Sequence, residues 1–442
     1  MRIMLVSYLF PPYNTIGAVR VGKTAKYLRR LGHEVRVLTA RDLPLQGNLR
    51  IEVPPTTIRA TKWRNVNAPV EWAMGGRGQV AAKGYAVGGG SSWKSRLLRG
   101  LGRLYKTWLN VPDGQIGWYG QAVRAGSRWI KEWRPDVILA SGAPFTSLLV
   151  ARTLSKRHGV PFVAELRDLW TDNAQYGHPR WRRALESRLE TWTLSQAAGL
   201  ITVSEPLAQT LRAKYEKPVQ VVLNGYDPED LPSGARPPLR EDGLDLIYTG
   251  MVYEGKQDPA PLFAALQAMG EEAKRVRVSF YGRYLESVRE QARRYGVERQ
   301  VEIEQQVSYE EALRLQARAD LLLLLQWNDP EERGVYTGKL FEYIGAGRPI
   351  LAVGYGDNVA GDLIRERGAG VVLDDPQEIA SQLRRWLWVK ARRGEIPAMR
   401  EEAALGLTRE AQARETAAFL QRVLGEEVTP HGGTAGSPER IG

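Results

Sequence analysis

Residues 334–350 read GVYTGKLFEYIGAGRPI, and this stretch decides the fold class of the chain. Thr337 or Gly338 can cap a helix that starts near Lys339, because both residue types are favoured at helix N-caps. The glycines towards the end of the stretch stop that helix, and an apolar strand follows. Another apolar run precedes the stretch at residues 320–325. The order strand, helix, strand predicts two parallel strands that are joined by a helix.

The same alternation of short apolar strands and helical stretches extends along most of the chain. Six strands are predicted in the first half, at residues 2–8, 34–39, 136–140, 161–166, 200–204 and 219–223. Six more are predicted in the second half, at residues 245–249, 277–281, 301–304, 320–325, 349–353 and 370–373. Most are nearly continuous in Val, Ile and Leu, as strands covered on both faces are. The predicted fold class is therefore α/β, with two doubly wound domains that face a central cleft.

Length and composition divide the chain into five predicted parts. Two domains are expected because a single hydrophobic core rarely serves as many as 442 residues. A stretch rich in Pro, Gly and charge separates the two sets of strands, which is typical of an interdomain linker. The predicted parts are a first domain at 1–228 with an insertion at 41–110, a linker at 229–243, a second domain at 244–405, a C-terminal helix at 406–428 that packs back on the first domain, and a disordered tail at 429–442.

The overall composition is that of an ordinary globular protein, with 43% apolar and 25% charged residues. The chain has no cysteine, which excludes disulfides and thiolate metal sites and fits a reducing cytoplasm. Its longest apolar runs are far shorter than a membrane span. The apolar start at residues 1–6 predicts a first core strand rather than a signal peptide. A cytoplasmic location is therefore expected.

The formal net charge of +12 favours an anionic partner, which could be nucleic acid, anionic lipid or a phosphorylated substrate. No nucleic-acid-binding motif is recognisable, so nucleic acid is not an expected partner. Residues 93–109, WKSRLLRGLGRLYKTWL, carry five cations and no acid among aromatic and aliphatic side chains. Such a basic amphipathic helix can lie in an anionic membrane interface. A solvated helix packed on the first domain explains the pattern equally well.

Two segments have the residue types that bind phosphate and sugar groups. Gly17 follows the first strand at a helix start, where a backbone can approach a phosphate or sugar closely; a simple tight turn is the alternative. At the start of the helix in residues 334–350, unpaired N–H groups beside Lys339 suit a diphosphate. Glu342 lies one turn further along, where a carboxylate can accept both hydroxyls of a ribose. The alternative is a surface helix with an ordinary Lys and Glu.

These segments resemble parts of the GT-B glycosyltransferases of the large retaining family 4. The Lys-Leu-Phe-Glu-Tyr core from Lys339, with the Gly-x-Pro turn after it, is similar to the family's donor-binding helix. Further matching pieces follow in the family's order, at residues 10–20, 31–35 and 223–227 and at 248–250 together with Lys256. The resemblance covers about residues 1–426, and it implies two Rossmann-like domains in the GT-B arrangement.

The resemblance implies a hexosyltransferase that acts on a nucleoside-diphosphate sugar and retains the anomeric configuration. The first domain would then bind the acceptor and the second the nucleotide sugar. The donor-binding residues implied are Gly17, Gly250, Lys256, Thr337, Gly338, Lys339 and Glu342. No cofactor is expected besides the donor as co-substrate, and no metal, because the four histidines lack ligand spacing and no Asp-x-Asp ends a strand.

Residues 162–170, FVAELRDLW, resemble the Arg-Asp-x-Trp turn of bacterial envelope-polysaccharide transferases in that family. Asp168, with Arg167 beside it, is the candidate catalytic carboxylate, which could orient or deprotonate the acceptor hydroxyl. Alternatively, Asp168 caps the next helix or pairs with Arg167. On the acceptor side we expect Trp170 together with Ser141 and Gly142, for which a plain capping turn is the alternative. A sugar or lipid-linked sugar is the expected acceptor, with the protein peripheral at the inner membrane face.

Two positions depart from the family's pattern. Gly334 stands where the family commonly has a second Glu, and Met251 stands where many members have Arg after the glycine of the phosphate loop. These departures leave two alternative functions open. One is a nucleotide-sugar epimerase of the same fold, and the other is a non-catalytic envelope-assembly protein that binds donor or lipid.

Overall fold

The computed structural model describes residues 1–68, 107–173, 176–234 and 240–425. Within them the chain forms two parallel sheets, one of seven and one of six strands. Helices alternate with the strands in both sheets. This architecture confirms the predicted α/β class with two Rossmann-like doubly wound domains.

The first sheet has the strand order β3-β2-β1-β4-β5-β6-β7, and its paired strands are all parallel. The strands are β1 (Arg2–Val6), β2 (Glu34–Arg41), β3 (Ile58–Lys62), β4 (Val137–Gly142), β5 (Phe162–Leu166), β6 (Gly199–Thr202) and β7 (Val219–Val221). The helices between them are α1 (Ile16–Arg30), α2 (Tyr119–Trp133), α3 (Thr146–His158), α4 (Arg180–Leu194) and α5 (Glu205–Lys214).

The second sheet has the order β10-β9-β8-β11-β12-β13 and is also parallel. Its strands are β8 (Leu244–Thr249), β9 (Val276–Gly282), β10 (Val301–Gln305), β11 (Leu321–Leu325), β12 (Ile350–Val353) and β13 (Gly370–Leu373). Its helices are α6 (Ala260–Met269), α7 (Glu286–Arg294), α8 (Tyr309–Arg318), α9 (Gly338–Ala346), α10 (Val359–Glu366) and α11 (Pro376–Arg393).

The central strands of both sheets explain why their sequences are so apolar. Every residue of β4, β5, β8, β11 and β12 is buried, because helices cover both faces of a parallel sheet. In each sheet the strand order reverses next to the first strand, between β1 and β4 and between β8 and β11. Ligands of doubly wound folds bind at such points, outside the carboxyl ends of the strands.

A seventh strand of the first sheet lies within the predicted insertion at residues 41–110. Ile58–Lys62 within it form β3, which pairs with β2 at the edge of the first sheet. None of the five residues of β3 is fully buried, so the sequence lacks the continuous apolar run that marked the other strands. Leu43 and Val53 in the same region also join the buried core.

The last described helix, α12 (Arg409–Leu424), lies against α1 of the first domain. Its residues Ala413, Phe419 and Leu420 are buried in the same cluster as Ile3 of β1. The tail at 429–442 and most of the basic stretch at 93–109 lie outside the described residues. None of the described helices combines the length and apolar character that crossing a membrane requires.

Candidate functional site

Two helices, one from each domain, begin at the same place between the sheets. The helix α1 begins at Ile16, and the hydroxyl of the preceding Thr15 accepts a hydrogen bond from the Ala18 amide at 3.1 Å. A Cβ atom placed on Gly338, the first residue of α9, would lie 3.5 Å from Cγ2 of Ile16. The N-termini of α1 and α9 therefore approach each other, and both offer N–H groups that favour an anion.

Lys339 lies beside this meeting point and is anchored by Tyr248. Its Nζ donates a hydrogen bond to the Tyr248 hydroxyl at 2.7 Å and lies 4.1 Å from the centre of the Tyr248 ring. Burial lowers the pKa of Lys339 to about 7, although the nearby carboxylate of Glu342 partly opposes that shift. A diphosphate would supply the negative charge that favours the ammonium form.

Gly250 is required by the position of Lys339. Its φ of +109° is in the region that favours glycine, and its amide donates to the Tyr281 carbonyl at 2.8 Å. A Cβ atom on Gly250 would lie only 2.8 Å from Cε of Lys339. The loop after β8 therefore carries glycine so that the Lys339 side chain can lie across it.

Glu342 lies half-buried on α9, one turn beyond Lys339. Its Oε2 accepts a hydrogen bond from Nε2 of Gln316 at 3.4 Å, and the same amide donates to Oγ1 of Thr249 at 3.0 Å. Burial raises the pKa of Glu342, while Gln316 and the charge of Arg409 oppose the shift. No hydrogen bond from a described residue reaches Oε1, so this oxygen remains available to a ligand.

Thr337 occupies the N-cap position of α9, but its hydroxyl does not cap the helix. Its Oγ1 is buried and has no hydrogen-bond partner among the described residues. The predicted N-cap position is confirmed, without a hydrogen bond from the Thr337 side chain to the helix. Unpaired buried hydroxyls are rare in native structures, and this one lies at the start of the helix that the sequence assigns to the donor.

Lys256 follows the Gly250 loop and is already paired within the second domain. Its Nζ lies 3.3 Å from Oε1 of Glu332 and 4.8 Å from the ring centre of Trp327. The Glu332 side chain is 3% exposed, whereas that of Lys256 is 33% exposed. A phosphate contact from Lys256 would therefore have to share the ammonium group with Glu332.

Gly334, one of the two departures from the family pattern, lies at a contact between the domains. Its carbonyl accepts a hydrogen bond from Oγ of Ser204 at 2.7 Å. A Cβ atom there would lie 3.2 Å from Leu207 and 3.3 Å from Pro206, closer than most real Cβ contacts. A larger residue at this position would therefore press against α5 of the first domain.

Arg167 is held by backbone carbonyls. Its Nε donates to the carbonyl of Gly142 at 3.1 Å, and its Nη2 donates to that of Ala143. The guanidinium also fills the space beside Gly17, where any Cβ atom would collide with it. Burial lowers the pKa of Arg167, and the charges of Glu165 and Asp168 oppose the shift. Arg167 therefore positions the loops after β1 and β4, and the glycine at 17 makes room for it.

Asp168 has no hydrogen bond or ion pair with any described residue. The next helix, α4, begins only at Arg180 and has Pro179 at its N-cap, so Asp168 does not cap it. The side chain is exposed, yet the surrounding protein raises its pKa by desolvation, and the charge of Arg167 opposes that shift. The Asp168 carboxylate thus neither caps the next helix nor forms an ion pair with Arg167, which were the two alternative explanations of this residue.

The three residues expected on the acceptor side are buried. Ser141 is 2% exposed and its hydroxyl donates to Glu165, while Gly142 is also buried. Trp170 is 2% exposed, stacks on Phe145 with ring centres 4.7 Å apart and donates to Oε2 of Glu186 at 3.1 Å. These side chains support the turn that carries Asp168, and their contact with an acceptor stays a prediction.

A buried polar network at the domain boundary was not predicted. Nε of Arg20 donates to Oε1 of Glu165 at 2.9 Å, and Nη1 of Arg20 donates to Oδ1 of Asn224 at 3.0 Å. Arg409 of α12 reaches the same Asn224 oxygen at 3.4 Å. Burial would raise the pKa of Glu165, but Arg20 and Ser141 outweigh it, so this pKa is lowered. The feature of the sequence that could have indicated this network is Glu165, a lone glutamate in an otherwise apolar strand.

One group of carboxylates in the described part of the chain is close enough to hold a cation, namely Glu52, Asp227 and Asp230. The Nζ of Lys23 lies 2.7 Å from an oxygen of each of them. Lys26 binds Glu52 and Asp227 at the same distance. Lysine ammonium groups therefore occupy the point at which a metal ion would bind.

The sequence of the first domain matches a known family. The family model of the glycosyl transferase 4-like domain matches residues 17–227. The match begins at Gly17 and includes Asp168, so it covers the site residues of the first domain. No curated protein sequence matches the chain.

Solved structures share the fold over nearly the whole chain. A sucrose-phosphate synthase from Thermosynechococcus elongatus is 13% identical, with 96% of this chain and 99% of that one covered and a TM-score of 0.61. HepE from Anabaena, in complex with UDP-glucose, is 14% identical, with 96% and 100% covered and a TM-score of 0.61. A UDP-N-acetylglucosamine 2-epimerase, described as putative, from Listeria monocytogenes is 13% identical, with 97% and 98% covered and a TM-score of 0.56.

The domain match and the shared architecture agree with each other. The two sheets of seven and six strands are the two halves of the GT-B fold. The chain therefore has the GT-B fold, and its first domain matches the glycosyl transferase 4-like family, in line with the resemblance described above. Fold alone does not specify donor, acceptor or stereochemistry, so these follow from the site.

Proposed function

We propose that the protein transfers a sugar from a nucleoside-diphosphate sugar to a hydroxyl acceptor, with retention and without a metal ion. The observation that carries this proposal is the arrangement at the start of α9. Lys339, the unpaired hydroxyl of Thr337 and the carboxylate of Glu342 lie there within about one helical turn. The helix N-terminus adds a partial positive charge to that of Lys339.

In this proposal the diphosphate lies between the N-termini of α1 and α9. Lys339 and the amide groups at the two helix starts stabilise the charge that develops on the leaving diphosphate. Lys256 adds a second cation, and its pairing with Glu332 keeps it near the Gly250 loop. Glu342 accepts the ribose hydroxyls. Fixed cations and helix termini would thus do the work that a metal ion does in other transferases.

The chemical step exchanges one bond to the anomeric carbon for another. The bond from that carbon to the diphosphate oxygen breaks, the acceptor oxygen bonds to the same carbon, and the proton of the acceptor hydroxyl passes to Asp168 or to the departing diphosphate. Asp168, which is unpaired and has a raised pKa, orients the acceptor or stabilises the oxocarbenium-like transition state. Retention is proposed from the resemblance to the retaining family.

The proposed setting is the synthesis of an envelope polysaccharide or glycolipid at the inner face of a membrane. Its support is the Arg167-Asp168-x-Trp170 turn, which resembles that of envelope-polysaccharide transferases, and the net charge of +12. The protein would be cytoplasmic and peripheral, and its acceptor would be a sugar or a lipid-linked sugar. Nucleic acid is not proposed as a partner.

Calorimetric titration with UDP, GDP and dTDP tests the donor site first. HepE, the neighbour with UDP-glucose bound, makes UDP the first choice. Hydrolysis of the matching nucleotide sugars then tests turnover. Binding of at least one nucleoside diphosphate is expected, together with slow release of sugar from its donor. A protein that binds none of the three would contradict the proposal.

Two other functions predict different results in the same assays. An epimerase, the activity named for the Listeria neighbour, would interconvert two donor sugars in the absence of any acceptor. A non-catalytic assembly protein would bind the donor without turnover across a broad acceptor panel. The transferase alone should consume donor faster when an acceptor is added.

A further inference from the structure

On the helix α4, large apolar side chains face the solvent and ionisable side chains face the interior, which is the reverse of an ordinary surface helix. Trp181, Leu185 and Trp192 are exposed by 42%, 45% and 50%, respectively. The inward side carries ionisable residues instead, with Glu186 and Glu190 only 2% and 1% exposed. Surface helices normally bury the apolar stripe and expose the charged one. An exposed apolar stripe on a soluble domain marks a surface for a partner.

The inward polar side is firmly bound to the turn after β5, so the orientation of α4 is fixed. Glu186 accepts hydrogen bonds from Nε1 of Trp170 at 3.1 Å and from Nε of Arg182 at 2.6 Å. Glu190 accepts from the Thr171 amide at 3.2 Å and from its hydroxyl. The Arg182 bond lies within α4, but the contacts from Trp170 and Thr171 would be lost if the helix rotated to bury its tryptophans. These hydrogen bonds therefore hold the apolar stripe of α4 towards the solvent.

Another aromatic side chain enlarges this exposed surface. The ring of Trp108 stacks on that of Trp181 with their centres 4.5 Å apart, and Trp108 is itself 64% exposed. The neighbouring Leu109 is 48% exposed. Trp181, Leu185 and Trp192 recur at helical spacing, so they lie along one side of α4. We call Trp181, Leu185, Trp192 and Trp108 together the α4 face.

The charges around the α4 face have a single sign. The helices α3 and α4, which pack together, expose the cations Lys156, Arg157, Arg180, Arg183 and Arg188. The only acids on these two helices are Glu186 and Glu190, and both are buried. A second copy of this face would bring like charges together. An anionic surface with an apolar interior is complementary to both the cations and the tryptophans.

We propose that the α4 face docks the protein on an anionic lipid bilayer. Tryptophan favours the boundary between lipid headgroups and acyl chains, and the surrounding arginines contact anionic headgroups. The inward side of α4 holds the turn that carries Asp168, so docking fixes the height of that carboxylate above the membrane. This purpose rests on the proposed transfer to a lipid-linked acceptor, whereas the docking itself does not.

Sedimentation with vesicles of equal parts phosphatidylcholine and phosphatidylglycerol tests the docking. The wild type should sediment with these vesicles at low salt and remain in solution with phosphatidylcholine alone. The triple variant Trp181→Ser, Leu185→Ser, Trp192→Ser should bind at least about tenfold more weakly, because insertion of even one large apolar side chain contributes roughly that factor. The matched control is Trp388→Ser with Leu405→Ser, which removes two side chains of the second domain that are 57% and 64% exposed.

Nucleoside-diphosphate binding and the thermal transition, measured on the triple variant, show whether it is folded. Both should match the wild type, so a failure of docking remains distinct from a failure of the donor site. Wild type that ignores the anionic vesicles, or a triple variant that binds them normally, would overturn the proposal. So would a wild-type dimer that the triple variant cannot form, because a second copy would then cover the face.

A further variant separates the α4 face from the basic stretch at 93–109. It replaces the cations Lys94, Arg96, Arg99, Arg103 and Lys106 with Gln. Partial loss of binding is expected, since these charges add attraction but not the apolar insertion. Complete loss in the Gln variant together with normal binding by the triple variant would assign docking to that stretch and overturn the proposal for α4.

Discussion

The side chain of Lys339 crosses Gly250 and donates a hydrogen bond to the hydroxyl of Tyr248 at 2.7 Å. Tyr248 is fully buried, and its hydroxyl donates a hydrogen bond to the carbonyl of Met251 at 2.6 Å. This contact joins the helix α9 to the loop after β8, which are the two elements assigned to the donor phosphates. It also keeps Lys339 in surroundings that lower its pKa to about 7.

Donor binding should therefore take up a proton at Lys339. At pH 8 much of this side chain is neutral, and a bound diphosphate favours its ammonium form. Calorimetry of nucleoside-diphosphate binding in buffers of different ionisation enthalpy measures the uptake. We expect it to approach one proton near pH 8 and to fall towards zero near pH 6. The variant Lys339→Arg, which stays charged, should bind without this uptake, and equal uptake in both proteins would contradict the assignment.

Lys339 should also cost stability in the absence of donor. Its pKa is lower in the folded than in the unfolded chain, so the unfolded chain binds more protons between about pH 7 and 10. The free energy of unfolding therefore rises with pH across that window. In Lys339→Met the rise should be smaller, and the variant should be more stable than the wild type below pH 7. Denaturant titrations across this pH range measure the free energy of unfolding of both proteins. Parallel curves of this free energy against pH would contradict the prediction.

Gly250→Ala should impair donor binding beyond its effect on the backbone. Its φ of +109° costs an alanine about 1–2 kcal/mol, and the new Cβ would collide with Lys339. The control is Gly255→Ala, because Gly255 has a φ of +75° and nothing within 4 Å of a Cβ atom. Both variants should lose stability, but only Gly250→Ala should lose nucleoside-diphosphate affinity. Equal affinities in the two variants would refute the contact between Gly250 and Lys339 as a part of the donor site.

Asp168→Ala should lower kcat and leave donor affinity nearly unchanged. A group that acts mainly in the transition state affects turnover, whereas a ground-state contact affects binding. Because desolvation raises the pKa of Asp168, the wild-type rate should begin to fall at a higher pH than an ordinary aspartate would give. Rate profiles across the acidic range, with Asp172→Ala as an exposed neighbouring control, measure both effects. Normal turnover in Asp168→Ala would exclude a catalytic role.

Much of the fold could be predicted from the sequence because the apolar run that indicates each buried strand is a local pattern. Strands such as β11, Leu321–Leu325, are buried throughout and contain only leucine. The exception is β3, an edge strand with no fully buried residue, for which no apolar run exists to be found. Its pairing with β2 depends on tertiary contacts, which periodicity does not record.

The candidate site could be predicted only in part, for a different physical reason. The positions of Lys339 and Glu342 on one helix follow from their spacing, and the structure has both on α9. Whether a side chain points into the cleft or into the core does not follow from the chain order. Trp170 shares a turn with Asp168, yet its ring is buried against Phe145 while the carboxylate remains exposed.

Nucleoside-diphosphate affinity of Glu342→Ala compared with the wild type tests the central claim most directly. Loss of charged hydrogen bonds to a ribose should weaken binding by roughly 1.5–3 kcal/mol. Glu304→Ala, which removes an exposed glutamate of β10, serves as the matched control and should bind as the wild type does. The account predicts the loss for Glu342→Ala alone. Unchanged affinity of that variant, in a protein that remains folded, would contradict the donor site at α9.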